Sequence, residues 1–317
     1  MIHKQRIEQL RDTCVAFGGF DGVHKGHRVV LKKLIQAAQL NNLTSVVLSL
    51  YDPGREVLTT EEEKEYYMQE IGPDILISCE TTDPMIEKSA EAFIRNVVIG
   101  QLGAKVIVVG EDCCFGDRKD GDLELLKAIE RETGVQIITC ETVLEGAMPI
   151  TSQRLKEAFL AGEFQRYVHM CEEHPYVMIG EIVHGKALGR TVGMPTANLG
   201  VGDNKIKPPN GVYATLSGVE NEIYQGLTNI GKRPSVDNYD LITIETFLLD
   251  FSKDIYGKPL VLEVYFLIRG VVKFNNLTEV QTQVQKDLEN TKLKLGTIIK
   301  MKQSETQKCI MELSQQL

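Results

Sequence analysis

The chain lacks a positive charge balance: its 317 residues carry 35 Lys and Arg against 44 Asp and Glu, a net charge of -9. A nucleic-acid partner is therefore not expected, because binding a phosphate backbone draws on a concentrated basic surface. Local sites for small anions remain open. Seven cysteines occur, but none is spaced Cys-x-x-Cys, and the neighbours Cys113 and Cys114 suit neither a disulfide framework nor a zinc site. Reduced thiols are expected. No apolar run is long enough to span a membrane, and residues 1–11 are polar with no secretory apolar core, which argues against a membrane and for a cytoplasmic location. Repeats and low-complexity segments are absent as well. What remains, 43% hydrophobic and 25% charged residues, is an ordinary globular composition in a chain too long for one core, so two domains are expected.

Glycine and histidine are concentrated in Phe17 to His27, which reads Phe-Gly-Gly-Phe-Asp-Gly-Val-His-Lys-Gly-His. Before it, Cys14-Val15-Ala16-Phe17 is short, apolar and rich in strand formers; after it, Val30, Leu31, Leu34, Ile35 and Ala38 recur at helical spacing. A strand enters this loop and a helix leaves it. Gly18, Gly19, Gly22 and Gly26 permit tight turns and close backbone approach, and the free N–H groups of the helix start favour an anion. His24 and His27 would flank that anion, with Asp21 beside them. Two histidines three residues apart can also bind a metal on a helix, but glycine at this density favours backbone approach to phosphate. The bland alternative is a Gly-rich turn with two exposed histidines.

Ser45 to Leu50 reads as a buried strand, Thr60 with Glu63 as a capping box opening a helix to about Ile71, and Ile75 to Ile77 as a short strand. A helix from Ser89 through Val98, a strand Lys105 to Val109, a further helix and a strand Val135 to Thr139 continue the alternation. The fold class expected is α/β, a doubly wound parallel sheet, with the loops after Phe17, Leu50 and Val109 converging on one crevice. Ser152 and Arg154 lie where a new helix opens; they read either as phosphate ligands or as an N-cap and a solvated charge. His174-Pro175 ends the helical pattern, placing the boundary between residues 173 and 174. Beyond it, strand-like runs at 177–183, 212–216, 222–230, 241–248 and 261–268 suggest a small antiparallel barrel, closed by a helix from Asn276 to about Ser304. Glu245 stands in an otherwise apolar strand, facing either solvent on alternate positions or a ligand.

The stretch Gly-Phe-Asp-Gly-Val-His-Lys-Gly-His, residues 19–27, resembles the HxGH nucleotidyltransferases, most closely the bacterial riboflavin kinase/FAD synthetases. Val109 to Gly116 resembles that family's Val-Gly-x-Asp-Phe-x-Phe-Gly loop with Cys113 in place of the first aromatic. Thr151 to Lys156 resembles Ser-Ser-Thr-Arg-Ile-Arg, with Gln153 in place of the Thr, and Tyr51-Asp52-Pro53-Gly54-Arg55 lacks the His and second Pro of Phe-x-Pro-His-Pro. In the second half, Gly185 to Leu199 resembles the flavokinase signature Gly-Arg-x-x-Gly-x-Pro-Thr-Ala-Asn; Pro209 to Ala214, Asn229 to Ser235 and Glu245 to Phe251 match in order, whereas Arg269-Gly270-Val271 departs from Arg-x-Glu.

The resemblance implies an FMN adenylyltransferase-like domain over residues 1–173 and a riboflavin kinase barrel with a C-terminal helix over 174–317. Riboflavin would be phosphorylated by ATP to FMN, and FMN adenylylated by a second ATP to FAD, both with Mg2+. It implies that Phe17, Gly18, Phe20, Asp21, Gly26, Asp112, Ser152 and Arg154 bind one nucleotide, with His24 and His27 stabilising developing charge. In the barrel it implies nucleotide contacts from Gly185, Gly189, Arg190 and Pro195, Mg2+ ligands at Thr196 and Asn198, and Glu245 as the base on the ribityl hydroxyl. Pro-Thr-Ala-Asn alone could equally open an edge strand. The departures at Gly54, Cys113 and Gln153 motivate two alternatives, a kinase alone and a flavin-responsive binding protein without turnover.

Overall fold

A computed structural model describes residues 1–86, 89–116, 119–184, 195–220, 222–233 and 241–314. It forms two compact units, Met1–Glu157 with Met170–Glu172, and Ala158–His169 with Glu173–Leu317. Among the described residues no helix is long and apolar enough to cross a membrane.

In the first unit β1 (Ile2–Lys4), β2 (Thr13–Gly18), β3 (Thr44–Tyr51), β4 (Ile75–Glu80), β5 (Ala104–Gly110) and β6 (Gln136–Cys140) make one parallel sheet in the order β1-β4-β3-β2-β5-β6. Its strands carry continuous apolar runs because helices cover both faces: Val15, Val46, Leu48, Ile77 and Ile107 are all fully buried. The expected doubly wound class is the observed one. The helices are α1 (Lys25–Asn41), α2 (Glu61–Ile71), α3 over 90–101 and α4 (Leu123–Thr133); α5 (Ser152–Leu160) begins in this unit, and α6 (Phe164–Met170) belongs to the second except for its last residue. After β2 the chain moves to one side for β3 and β4, then crosses to the other for β5. That switch leaves the carboxyl ends of β2 and β5 open to a ligand.

Local chemistry sets the helix starts. Thr60 and Glu63 form the expected capping box, Thr60 Oγ1 accepting the Glu63 N–H (3.4 Å) and Glu63 accepting the Thr60 N–H (2.9 Å). Ser89 caps α3, whose hydrogen bonding is π-helical from Phe93 to Gln101. Apolar periodicity does not distinguish that geometry from an α-helix. Three short elements of this unit escaped sequence reading: β1, and the two-stranded pair β7 (Leu144–Glu145) and β8 (Met148–Pro149).

The second unit is a closed barrel of β9 (Tyr176–Val183), β10 (Ala197–Gly200), β11 (Gly211–Val219), β12 (Glu222–Arg233), β13 (Leu241–Leu248) and β14 (Pro259–Arg269), in the order β10-β13-β12-β11-β14-β9 with β9 pairing back to β10. Every pairing is antiparallel, as expected, and closure removes exposed strand edges. Within the wall, buried Thr215, Thr228 and Thr246 satisfy one another through hydroxyl bonds of 2.8 and 2.9 Å. Gly226 makes room for them, since a Cβ there would lie 2.7 Å from Thr215 Oγ1. The closing helix α7 (Leu277–Ser314) packs Leu295 against Ala214 and Leu216. It is also tied to the barrel by Arg269, whose Nε donates to buried Asp287 at 2.8 Å. Phe159, Phe164 and Tyr167 pack in tilted and edge-on pairs with Tyr176 and Tyr213 in one aromatic cluster.

Thr60→Ala removes one arm of the capping box and should cost about 1 kcal/mol, read as a lowered denaturant midpoint for the first unit, with Thr60→Ser recovering most of that loss. Equal midpoints for all three proteins would mean the box contributes nothing.

Candidate active site

At the carboxyl ends of β2, β3, β5 and β6 lies a cleft of about 820 Å³. Phe17, Gly18, Phe20, His24, Gly26, His27, Asp112 and Ser152 line it, so the loops after Phe17, Leu50 and Val109 do converge. Asp21 and Arg154 are placed differently. The Asp21 carboxylate accepts from the Thr59 N–H (2.8 Å) and hydroxyl (3.1 Å), bracing the loop instead of facing the cleft. Arg154 turns onto the β7–β8 pair, donating to the Met148 and Pro149 carbonyls (3.0 and 2.6 Å) and to Glu145 (2.7 Å). Ser152 donates to the Asp21 carbonyl (2.8 Å), and the residue capping α5 is its neighbour Thr151, which accepts the Arg154 N–H. These contacts lock the start of α5 to the glycine loop.

The loop itself is tightly packed. Phe20 (φ 47°) and Val23 (φ 38°) adopt left-handed backbone that side chains of their kind seldom take, held by burial of both. Gly22 (φ 81°) has no space for a side chain: a Cβ would fall 2.3 Å from Leu155. Gly26 leaves room for His24, whose ring would be 3.2 Å from a Cβ there. His24 is the N-cap of α1; its Nδ1 accepts the His27 N–H, leaving the ring proton on Nε2. The two imidazoles stack at 3.7 Å and 19°, with the Phe20 ring edge-on to His27. His27 Nδ1 is buried with no partner among the described residues. Burial pushes His24 down to about 4 and His27 well below its ordinary value, the second helped by nearby His24 and Lys64. Both rings are therefore neutral hydrogen-bonding groups at pH 7. Among the described residues no group of three or more His, Cys, Asp or Glu side chains could hold a metal ion.

One wall is aromatic. Phe17 meets Phe93 and Phe115 edge-on at 5.3 and 5.2 Å, a surface on which a flat ring can pack. Cys113 beside it is half-buried, its thiol pushed up to about 11 chiefly by burial and then by Asp112 and Asp122, so it adds a neutral contact. Sequence reading missed Phe93, hidden in the π-helical turn, and the lining cations Arg55 and Lys119. Arg55 directly follows Pro53-Gly54 and stands where the resembling motif has its second Pro, a position that could have flagged it.

In the barrel, Glu245 pairs in register with Asn198 across β10–β13. Pro195 and Thr196 line a second pocket of about 240 Å³ with Phe251, Lys253 and Tyr256, and His184 stacks on Tyr256 at 3.9 Å. Gly185, Gly189 and Arg190 lie outside the described residues.

The neutral histidines carry a stability consequence. A folded-state value for His24 near 4, below the unfolded 6.5, means the unfolded chain binds more protons between those limits, so stability is full above about pH 7 and falls as pH drops toward 4. Lowering pH from 7 to 5 should cost the first unit on the order of 2 kcal/mol through His24, and His24→Asn should shrink that drop. Equal pH dependence of the two denaturation midpoints would contradict the buried neutral ring.

Comparison with known proteins matches both halves. A family model described as FAD synthetase matches residues 6–154, and one described as riboflavin kinase matches 172–295. The chain is 31% identical over 293 residues to the bifunctional riboflavin kinase/FMN adenylyltransferase of Haemophilus influenzae, covering 89% of this chain and 94% of that one. It is 32% identical over 296 residues to the protein of that name from Escherichia coli K12, covering 90% and 94%. A crystal structure from Streptococcus pneumoniae, described as a macrolide-efflux protein, superposes with a TM-score of 0.80 at 27% identity, covering 92% of this chain and 99% of that one. With both halves matched and most of its length aligned, the chain belongs to the bifunctional riboflavin kinase/FMN adenylyltransferase family.

Proposed function

We propose that the barrel, residues 174–317, phosphorylates riboflavin with ATP to FMN, and that residues 1–173 join FMN to the AMP moiety of a second ATP, giving FAD and pyrophosphate. The observation that carries this reading is the division of the two polar sets between the units: the stacked His24–His27 pair at a glycine loop in one, and Glu245 opposite Asn198 in the other. Both reactions suit a cytoplasmic setting supplied with ATP.

In the cleft, an FMN phosphate oxygen attacks the α-phosphorus of ATP, and the bond to the β-phosphate breaks in line. No enzyme nucleophile is required. His24 carries its proton on Nε2 and His27 has an orphaned ring nitrogen, so the pair meets the phosphates as neutral partners that need not be neutralised first. Phe17 and Phe115 offer the flat surface for a ring. Asp21 and Ser152 act by holding the loop to α5, and Arg154 serves as an anchor for the β7–β8 pair.

In the barrel, Glu245 takes the proton of the terminal ribityl hydroxyl as that oxygen attacks the γ-phosphorus and ADP departs. Thr196 and Asn198 present a hydroxyl and a carboxamide, hard oxygen donors of the kind Mg2+ accepts when phosphates complete its shell; Asn198 is nearly buried and sits on the Glu245 row. When bound, Mg2+ would neutralise phosphate charge. The nucleotide is assigned to the pocket lined by Pro195, Thr196 and Tyr256.

Two substitutions test the separation. Glu245→Gln should lower FMN formation by at least about a hundredfold while sparing FAD formation from supplied FMN, and His27→Ala should do the reverse. Loss of both reactions from either substitution in folded protein would contradict the assignment of one reaction to each site.

A further inference from the structure

The barrel's register sets three polar side chains in one row. Asn198 of β10 and Asn229 of β12 both stand directly opposite Glu245 of β13. Strands lie about 4.8 Å apart, so the row spans roughly 10 Å, with directly opposed side chains in reach of a common ligand. The residues flanking these positions, Ala197, Thr228, Ile230, Ile244 and Thr246, are buried on the opposite face. Glu245 and Asn229 therefore share the outward side of the wall, and Asn198, itself buried, stands opposite Glu245.

Its two ends differ. The Asn198 end is continuous in sequence with Pro195 and Thr196, which line the pocket given above to the nucleotide. Asn229 at the other end is exposed, and no hydrogen bond to its side chain occurs among the described residues. Asparagine is disfavoured within strands, because its amide packs poorly and competes for backbone partners. Among the described residues no hydrogen bond accounts for an asparagine on β12 beside a carboxylate.

The chemistry of phosphoryl transfer supplies a reason. Attacking and leaving oxygens lie on opposite sides of the transferred phosphorus. With the donor at the Asn198 end and the base in the middle, the acceptor alcohol arrives from the Asn229 end. We propose that Asn229 is a substrate residue for the acceptor, its carboxamide hydrogen-bonding the polyol chain whose terminal hydroxyl Glu245 deprotonates. In that step the O–H proton passes to Glu245, the oxygen bonds to the γ-phosphorus, and the bond to the β-phosphate oxygen breaks to release ADP. The inference rests on the kinase reading of the barrel.

The test is steady-state FMN formation by the full chain and its Asn229→Ala and Asn229→Val forms, Val being a good strand former that cannot hydrogen-bond. Riboflavin is compared with an analogue lacking the ribityl hydroxyl next to the terminal one. Both variants should lose about tenfold or more in kcat/KM for riboflavin, with KM for ATP within about twofold and FAD formation from supplied FMN unchanged. The wild type should suffer with the deoxy analogue more than either variant does. A variant kcat/KM for riboflavin equal to wild type, or an equal rise in KM for ATP, would overturn the inference. Failure of the wild type to make any FMN would overturn the kinase reading itself, and this inference with it.

Discussion

The cleft of the first unit depends on two places where a side chain is missing. At Gly22 the loop runs against Leu155 so closely that a Cβ would sit 2.3 Å from its methyl, which lets α5 lie on the loop and Ser152 reach the Asp21 carbonyl. At Gly26 the first turn of α1 stays bare beside the His24 ring, which lets that ring cap the helix and stack on His27. Filling either space displaces an imidazole or the helix that backs it. Burial then keeps both rings uncharged, and a neutral imidazole next to an anionic phosphate is a hydrogen-bonding partner available across the physiological pH range.

The second unit reaches its site by another route. Closure of the barrel fixes register, because slipping any strand by one residue would exchange its inner and outer faces. The threonine ladder on the buried face and the Asn198–Glu245–Asn229 row on the opposite face are two consequences of one alternation. A glycine packs the ladder, as glycines pack the first loop: Gly226 stands where Thr215 and Thr246 would otherwise collide with a side chain.

Much of this was legible in the sequence because it is written in short-range chemistry. The entry of a strand and exit of a helix around Phe17 to His27, the Thr60 capping box and the antiparallel barrel all follow from local pattern. The features that were not legible are those decided by distant contacts. Asp21 and Arg154 have the right chemistry to face a phosphate, but Thr59 and the β7–β8 pair, respectively, capture them. Phe93 enters the cleft wall through a π-helical turn that apolar spacing cannot reveal. Asn229 acquires meaning only from the strand pairing that sets it opposite Glu245.

The central claim is that one chain carries two successive flavin-modifying sites. It is tested most directly by incubating the purified protein with riboflavin, ATP and Mg2+ and resolving riboflavin, FMN and FAD by chromatography over time. The account predicts that FMN rises first and FAD follows at its expense. FMN accumulating without any FAD would contradict the assignment of adenylyl transfer to the His24–His27 cleft, and unchanged riboflavin would contradict the whole account.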